Sequence, residues 1–324
     1  MQKCSIIMYH YVRELPYTRY PAIKGLKTSL FKEQLAYMSK HYTFVCAKDL
    51  MEAAWNGAEL PENAAWLTFD DAYADHYTNV FPILDEMGIE GAFFPPVKAI
   101  TEHEVLDVNK IHFILAANED VRPLVADIYR LLDEHREAYR LESNDHYYRK
   151  LAKANRFDPA EVIFIKRLLQ VELPENLRNV MTDVLFRKYV SDDEEAFSRE
   201  LYMNEDQMRC MVRHGMHIGS HGYDHYWLDS LPPDKQRMEV EKSLEFLARI
   251  GCDLENWSMA YPYGAYNDSL VEILKEKGCK LGVSTRVDIA RISKKNAFSL
   301  PRLDTNDLPK DRNAAFVCPV RENE

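Results

Sequence analysis

The chain is 324 residues long, 46% hydrophobic and 29% charged, with a formal net charge of −11. Those proportions belong to a folded globular protein with room for one large α/β domain or two smaller ones. The acidic balance excludes bulk nucleic-acid binding, which needs a basic face to neutralise phosphates, and no run of about 18 apolar residues offers a membrane span.

The N-terminus, MQKCSIIMYHYVREL, carries an apolar run too short for a signal-peptide core. Cys4, Cys46, Cys210, Cys252, Cys279 and Cys318 are scattered with no C-x-x-C pair. Together these features predict reduced, mostly buried thiols in a cytoplasmic protein. Short apolar runs at 5–9, 65–69, 91–94, 217–220, 257–261, 280–284 and 299–303, bounded by Gly, Pro or charge, predict buried strands. Between them lie helical patterns. Val80, Ile83, Leu84 and Met87 recur at i, i+3, i+4, i+7 and Gly88 stops them, with Pro82 in the first turn or at a kink. Pro232 and Pro233 open a second helix with Val240, Leu244 and Leu247 on one face and Gly251 beyond its end. Asn267 caps a third, running through Leu270, Ile273 and Leu274 to Gly278. Strands alternating with helices imply a parallel α/β sheet or barrel.

Residues 103–205 break that rhythm. They contain no glycine, and three groups have helix spacing: Ile128, Leu131, Leu132 and His135; Val162, Ile165, Leu168 and Leu169; Val180, Val184 and Leu185. The segment reads as a helical insertion (103–205) in a core made of 1–102 and 206–324. It could cover the site, bind substrate or form a homo-oligomer. The last stretch, 307–324, is polar and partly irregular.

Three stretches stand out, each at the end of a predicted strand, where active sites gather on parallel α/β scaffolds. WLTFDDAYADHY ends an apolar run in adjacent carboxylates, Asp70 and Asp71, which are either a solvated turn or a pair held for chemistry. GMHIGSHGYDHY places His221 and His225 four apart. They are either polar residues near a turn or two members of a His/His/carboxylate set for a divalent metal. MAYPYGAYN turns out of a strand through Pro262 and Gly264.

In this order TFDD, H-x-x-x-H and Y-P-Y-G resemble the polysaccharide deacetylase family of metal-dependent carbohydrate esterases, with GIEGAFFPPV and IGSHGYDH as supporting wording. The resemblance covers about 1–102 and 206–305. It implies a distorted (β/α)7-type barrel with a helical insertion. It also implies Asp71, His221 and His225 as ligands of a divalent metal, Zn2+ with Co2+, Ni2+ or Mn2+ as alternatives. Asp70 would be the general base, and the Tyr263 backbone N–H would face the oxyanion. The chain departs from the family pattern twice. Many members have an Arg three residues before the Tyr of the third motif, where this chain has Ala260; Arg302, in SLPRLD, is the candidate replacement. Many members also end in a Leu-His motif, whereas no histidine follows His225 here. MYHYV at the first strand instead resembles the rearranged subgroup that includes biofilm poly-N-acetylglucosamine deacetylases, which implies His10 as general acid.

The implied function is removal of an N-acetyl group from an acetamido sugar of a glycan or glycoconjugate precursor. The alternatives are a catalytically silent sugar-binding protein on the same scaffold and a hydrolase of a small non-sugar amide. Tyr73, Tyr223, Tyr226, Trp227 and Tyr266 cluster around the motifs and are either sugar-stacking faces or core.

Overall fold

The computed structural model describes residues 2–155 and 158–316. The chain forms two compact units. One comprises Met1–Glu14, Lys24–His103 and Arg199–Glu324, the other Leu15–Ile23 and Glu104–Ser198.

The first unit is a barrel. Its strands are β1 (Gln2–Tyr9), β2 (Thr43–Phe44), β3 (Ala64–Asp70), β4 (Gly91–Phe94), β5 (His217–Ile218), β6 (Ser258–Ala260), β7 (Leu281–Val283), β8 (Ala290–Ile292) and β9 (Leu303–Asp304). β5, β4, β3 and β1 lie side by side with every pairing parallel, and β9 joins β1, also in parallel. β6 and β7 form a separate parallel pair. Two isolated parallel bridges, Ser220↔Met259 and Val283↔Leu300, connect that pair to its neighbours on either side. The result is a ring of seven parallel strands, closed by single bridges at two seams: a distorted (β/α)7-type barrel.

All seven residues of β3 are buried, because a barrel strand faces side chains of the lumen on one side and helices on the other. The apolar runs in the sequence therefore mark these strands well: β1 and β3 extend beyond their runs, β4 coincides with its run, and β5, β6, β7 and β9 are shorter. β2 and β8 lie outside the ring. β8 runs antiparallel to the start of β1.

The helices of this unit are α1 (Thr28–His41), α2 (Ala47–Trp55), α3 (Phe81–Met87) and α4 (Val97–Thr101) before the insertion. α3 has Pro82 in its first turn and is entered through a π-turn, His76–Val80. In the second unit follow α5 (Asp107–Ala116), α6 (Arg122–Tyr139), α7 (Asn144–Leu151), α8 (Ala160–Arg167) and α9 (Glu175–Tyr189). The boundary between units falls within α10 (Glu194–Leu201). The barrel then resumes with α11 (Glu205–Arg213), α12 (Pro233–Ile250) and α13 (Asp268–Glu276). α12 ends where Gly251 takes a left-handed conformation, φ 90°, and the Asn267 side chain accepts the Leu270 N–H at 3.0 Å to cap α13.

Within the second unit, α6 buries Leu124, Ile128, Leu131 and Leu132. α9 differs from the spacing read in the sequence: Val180 and Val184 are exposed and the buried face is Leu177, Met181, Leu185 and Phe186. The aromatic side chains set the rotation, because Phe186 packs edge-on to Phe197 and Phe197 to Phe113. Leu15–Ile23 joins this unit through Tyr20, whose ring packs against Phe113 and Phe197.

Of the stretch expected to be irregular, Asp307 closes a single 3₁₀ turn that begins at Thr305, and 308–316 has no helix or strand; 317–324, with Cys318, lies outside the described residues. The five described cysteines are free thiols.

Candidate active site

Apart from Arg302, each candidate site residue sits at the carboxyl end of a barrel strand or in the loop leaving it. His10 follows β1, Asp70 closes β3 and Asp71 follows it, His221 and His225 follow β5, Tyr263 follows β6, and Arg302 immediately precedes β9. Strand register alone brings the first two together, since Tyr9 pairs with Phe69.

Asp71, His221 and His225 are all buried, and one ligand atom from each lies within 4.8 Å of the others. The Nε2 atoms of His221 and His225 are 3.5 and 3.4 Å from Asp71 Oδ1. Those separations exceed a good N–H···O bond, and Asp71 Oδ1 accepts none although it is buried. His221 Nδ1 is 2.7 Å from the Ala260 carbonyl, which can only accept, so Nδ1 carries a hydrogen and Nε2 is the atom turned to Asp71; burial works against charge on this ring, but Asp71 and Asp70 outweigh it and raise its pKa. An anionic oxygen and two imidazole nitrogens thus converge without bonding each other, and this donor set fits a divalent cation such as zinc. Burial works to raise the Asp71 pKa, but the facing imidazoles outweigh it and hold the carboxyl well below its ordinary value. Burial lowers the His225 pKa despite Asp71, which keeps that ring neutral and able to ligate.

The other oxygen of Asp71 is held too. The Tyr73 hydroxyl donates to Oδ2 at 2.6 Å from a fully buried position, and its ring stacks on Tyr11 with centroids 3.9 Å apart. Tyr73 therefore belongs to the core beneath the site, whereas Tyr266 is half-buried and stacks on the core residue Tyr261 at 4.6 Å. Trp227 is half-buried and stacks on Tyr263, 4.4 Å apart and 3° from parallel.

Asp70 points at a different partner. Arg302, with no solvent exposure, donates from Nη1 to Oδ1 at 2.8 Å and from Nη2 to Oδ2 at 2.7 Å. Its Nε donates to the Ser284 carbonyl and Nη1 also reaches Thr68 Oγ1. Such a two-pronged clamp fixes both the charge and the plane of the carboxylate. Burial would raise the Asp70 pKa; the guanidinium reverses this and leaves it below the ordinary value. Arg302, the candidate replacement for the arginine that the resemblance leads one to expect at Ala260, reaches the carboxylate from just before β9.

His10 is half-buried and close enough for its charge to act on both aspartates. Its carbonyl accepts from Nε2 of His76, a buried ring that burial pushes down to about 4 and so keeps neutral. Tyr263 stands edge-on to His225 at 4.8 Å.

Of the seven non-glycine residues with left-handed φ among the described residues, four are here: Asp71 (φ 72°), Ala72 (53°), His225 (56°) and Tyr263 (58°). Each costs of order 1 kcal/mol or more, and such strain concentrates at functional sites. The Tyr73 hydroxyl and the Ala260 carbonyl are the parts that sequence reasoning missed. Tyr73 was legible only as one aromatic among several, and a backbone carbonyl leaves no trace in residue identity.

A profile of the polysaccharide deacetylase family matches residues 57–136 and 188–282, more than half of the chain. The chain belongs to that family. It is 45% identical over 61 residues to poly-β-1,6-N-acetyl-D-glucosamine N-deacetylase of Escherichia coli (strain K12), covering 18% of this chain and 9% of that protein. It is 31% identical over 84 residues to YxkH of Bacillus subtilis (strain 168), covering 26% of this chain and 30% of that one. The chain thus spans less than a third of either relative's length. Among solved structures it is similar to Streptococcus pyogenes deacetylase PplD in complex with acetate, with TM-score 0.55 and 20% identity over 93% of this chain and 92% of that one. IcaB from Ammonifex degensii gives TM-score 0.55 and 18% identity over 94% and 92%. At these identities the fold is what is shared. Among the described residues no helix is long and apolar enough to cross a membrane.

Proposed function

We propose that the barrel unit is a metal-dependent hydrolase that removes the N-acetyl group from an acetamido sugar, releasing acetate and a free amine. The observation that carries this reading is the split between two adjacent buried aspartates. Asp71 faces two imidazoles with an unbonded oxygen, while Asp70 is locked by Arg302. Asp71, His221 and His225 are the residues to hold the ion, with Zn2+ the reading and Co2+, Ni2+ or Mn2+ the alternatives. Bound there, a divalent ion supplies Lewis acidity that polarises the acetyl carbonyl and acidifies water.

The chain's own groups do the rest. Asp70, ionised and oriented by the guanidinium, takes a proton from the attacking water. The Tyr263 N–H is assigned to the oxygen that becomes negative as the carbonyl carbon turns tetrahedral. An amine leaves poorly until protonated, so His10 delivers a proton to the sugar nitrogen as the C–N bond breaks. The E. coli relative's polymer suggests β-1,6-linked N-acetylglucosamine oligomers as first substrates to try. The five free thiols support a reducing compartment, the cytoplasm.

Acetate release from those oligomers, measured on stripped and zinc-reloaded protein, tests the reading. Asp70→Asn and His10→Ala are each expected to lose about 10²–10⁴-fold in rate while retaining bound metal. Full activity in either variant removes that residue from the mechanism. Sugar binding without acetate release under all four metals would make the chain a silent binding protein.

A further inference from the structure

α12 packs an apolar face made of Val240, Phe246, Leu247 and Ile250, yet it also buries three polar side chains, Gln236, Glu239 and Ser243. They fall at i, i+3 and i+7, one stripe along the helix. Burying amide, carboxyl and hydroxyl groups in a core is costly unless they find partners; Gln236 Oε1 and Glu239 Oε1 find none and Gln236 Nε2 also reaches Asn267 Oδ1, but each of the three side chains bonds one common segment. Ser243 Oγ donates to Ser220 Oγ at 2.8 Å, and Ser220 Oγ accepts the Gly222 N–H at 3.2 Å. Glu239 Oε2 accepts the Tyr223 N–H at 2.8 Å and the Asp224 N–H at 2.9 Å. Gln236 Nε2 donates to the Leu228 carbonyl at 2.8 Å. Apart from the Asn267 contact, every one of these bonds lands on residues 220–228, the segment that carries His221 and His225.

Glu239 is the centre of this stripe. Its carboxylate grips two of the three peptide N–H groups between the two histidines, those of Tyr223 and Asp224. Gly222 bends that stretch toward it at φ 75°, and a Cβ there would stand 3.2 Å from Glu239 Oε2. From the opposite side the start of α4 holds the same peptides, Lys98 N–H donating to the Tyr223 carbonyl at 2.8 Å. The bend is thus pinned on both faces, just before His225, which has a left-handed φ of 56°.

We propose that Glu239 is a positioning residue for metal binding, setting the separation and aim of His221 and His225 through the peptides between them. The inference rests on the metal-site reading above. Removing groups that orient metal ligands typically weakens metal affinity about 10–100-fold, and Glu239→Ala is expected to fall in that range. The experiment is a Co2+ titration of the stripped full chain, followed by the visible absorption of bound cobalt and paired with thermal unfolding. Glu239→Gln, whose carbonyl can still accept both N–H groups, is expected to restore affinity to within about threefold of the parent on that same basis. Val240→Ala, on the same helix, is expected to lower Tm while leaving the cobalt Kd and spectrum unchanged. If the alanine chain does not fold, Glu239→Asp, with its oxygen drawn back by one methylene, carries the same expected weakening. A parent chain that binds no cobalt overturns the site reading and this inference with it. A parent that binds, with Glu239→Ala (or the Asp variant) matching its Kd and spectrum, overturns this inference alone, as does a Val240→Ala chain that loses affinity equally.

Discussion

Carboxyl groups are set into both ends of the barrel, and the two ends treat them differently. At the carboxyl end, Asp70 and Asp71 are nearly inaccessible and yet held below their ordinary pKa, one by a guanidinium and the other by two imidazoles. At the amino end, Glu90 stands just before β4, half-buried, and accepts one backbone N–H, from Ala47 at the start of α2, at 2.6 Å. Desolvation raises its pKa to about 7, and the Asp49 carboxylate pushes the same way. For these three carboxyls burial alone does not set the direction of the shift; the groups placed beside each one do.

The contrast can be broken from the carboxyl end first. Arg302→Met leaves Asp70 buried with no guanidinium, and breaking a buried pair in this way costs about 3–5 kcal/mol. Urea denaturation should show that loss together with a collapse of acetate release; an unchanged midpoint would mean that Asp70 finds another partner. A smaller effect is expected from Tyr73→Phe, which takes the hydroxyl from Asp71 Oδ2. Metal affinity should weaken about tenfold or somewhat more, with Tm little changed, as isothermal titration with zinc would report.

Glu90 sharpens the comparison through pH. Its folded-state pKa lies above the ordinary value near 4.5, so its contribution to stability is full below about 4.5 and is lost as pH rises through about 7. Glu90→Gln should flatten that decline and leave the variant the more stable of the two at pH 8; parallel slopes across this window would contradict it. The smallest effect belongs to the exposed ion pair Arg149–Asp145 on α7 of the second unit. Arg149→Ala should leave Tm where it is, because water screens such pairs.

Much of this was legible in the sequence, for physical reasons. Strands buried on both faces read as unbroken apolar runs, so β1, β3 and β4 announce themselves, and Pro232, Gly251 and Asn267 mark helix ends by their backbone chemistry. The buried face of α1 includes Gln34 and Tyr37 alongside Phe31 and Leu35, which blurs its period. β8 has only three residues, with Arg291 pointing to solvent. The stripe of Gln236, Glu239 and Ser243 is hidden for a similar reason, since a polar residue on an apolar face looks like a gap in it. Of the site, the residue types were readable and the partners were not. That Arg302 meets Asp70 depends on strand order around the ring, a property of the closed barrel and of no local stretch.

One bond at the site also has a mechanical meaning. The ring closes between β5 and β6 through a single bridge, and the His221–Ala260 bond spans that same gap, next to the backbone bonds Ser220 N–H to Ser258 and Ala260 N–H to Ser220. His221 is thus a rivet in one of the two single-bridge joints of the wall. Loading the protein with zinc should slow amide hydrogen exchange at Ser220 and Ala260 more than at the well-paired β3, so that filling the site and tightening the barrel become one event.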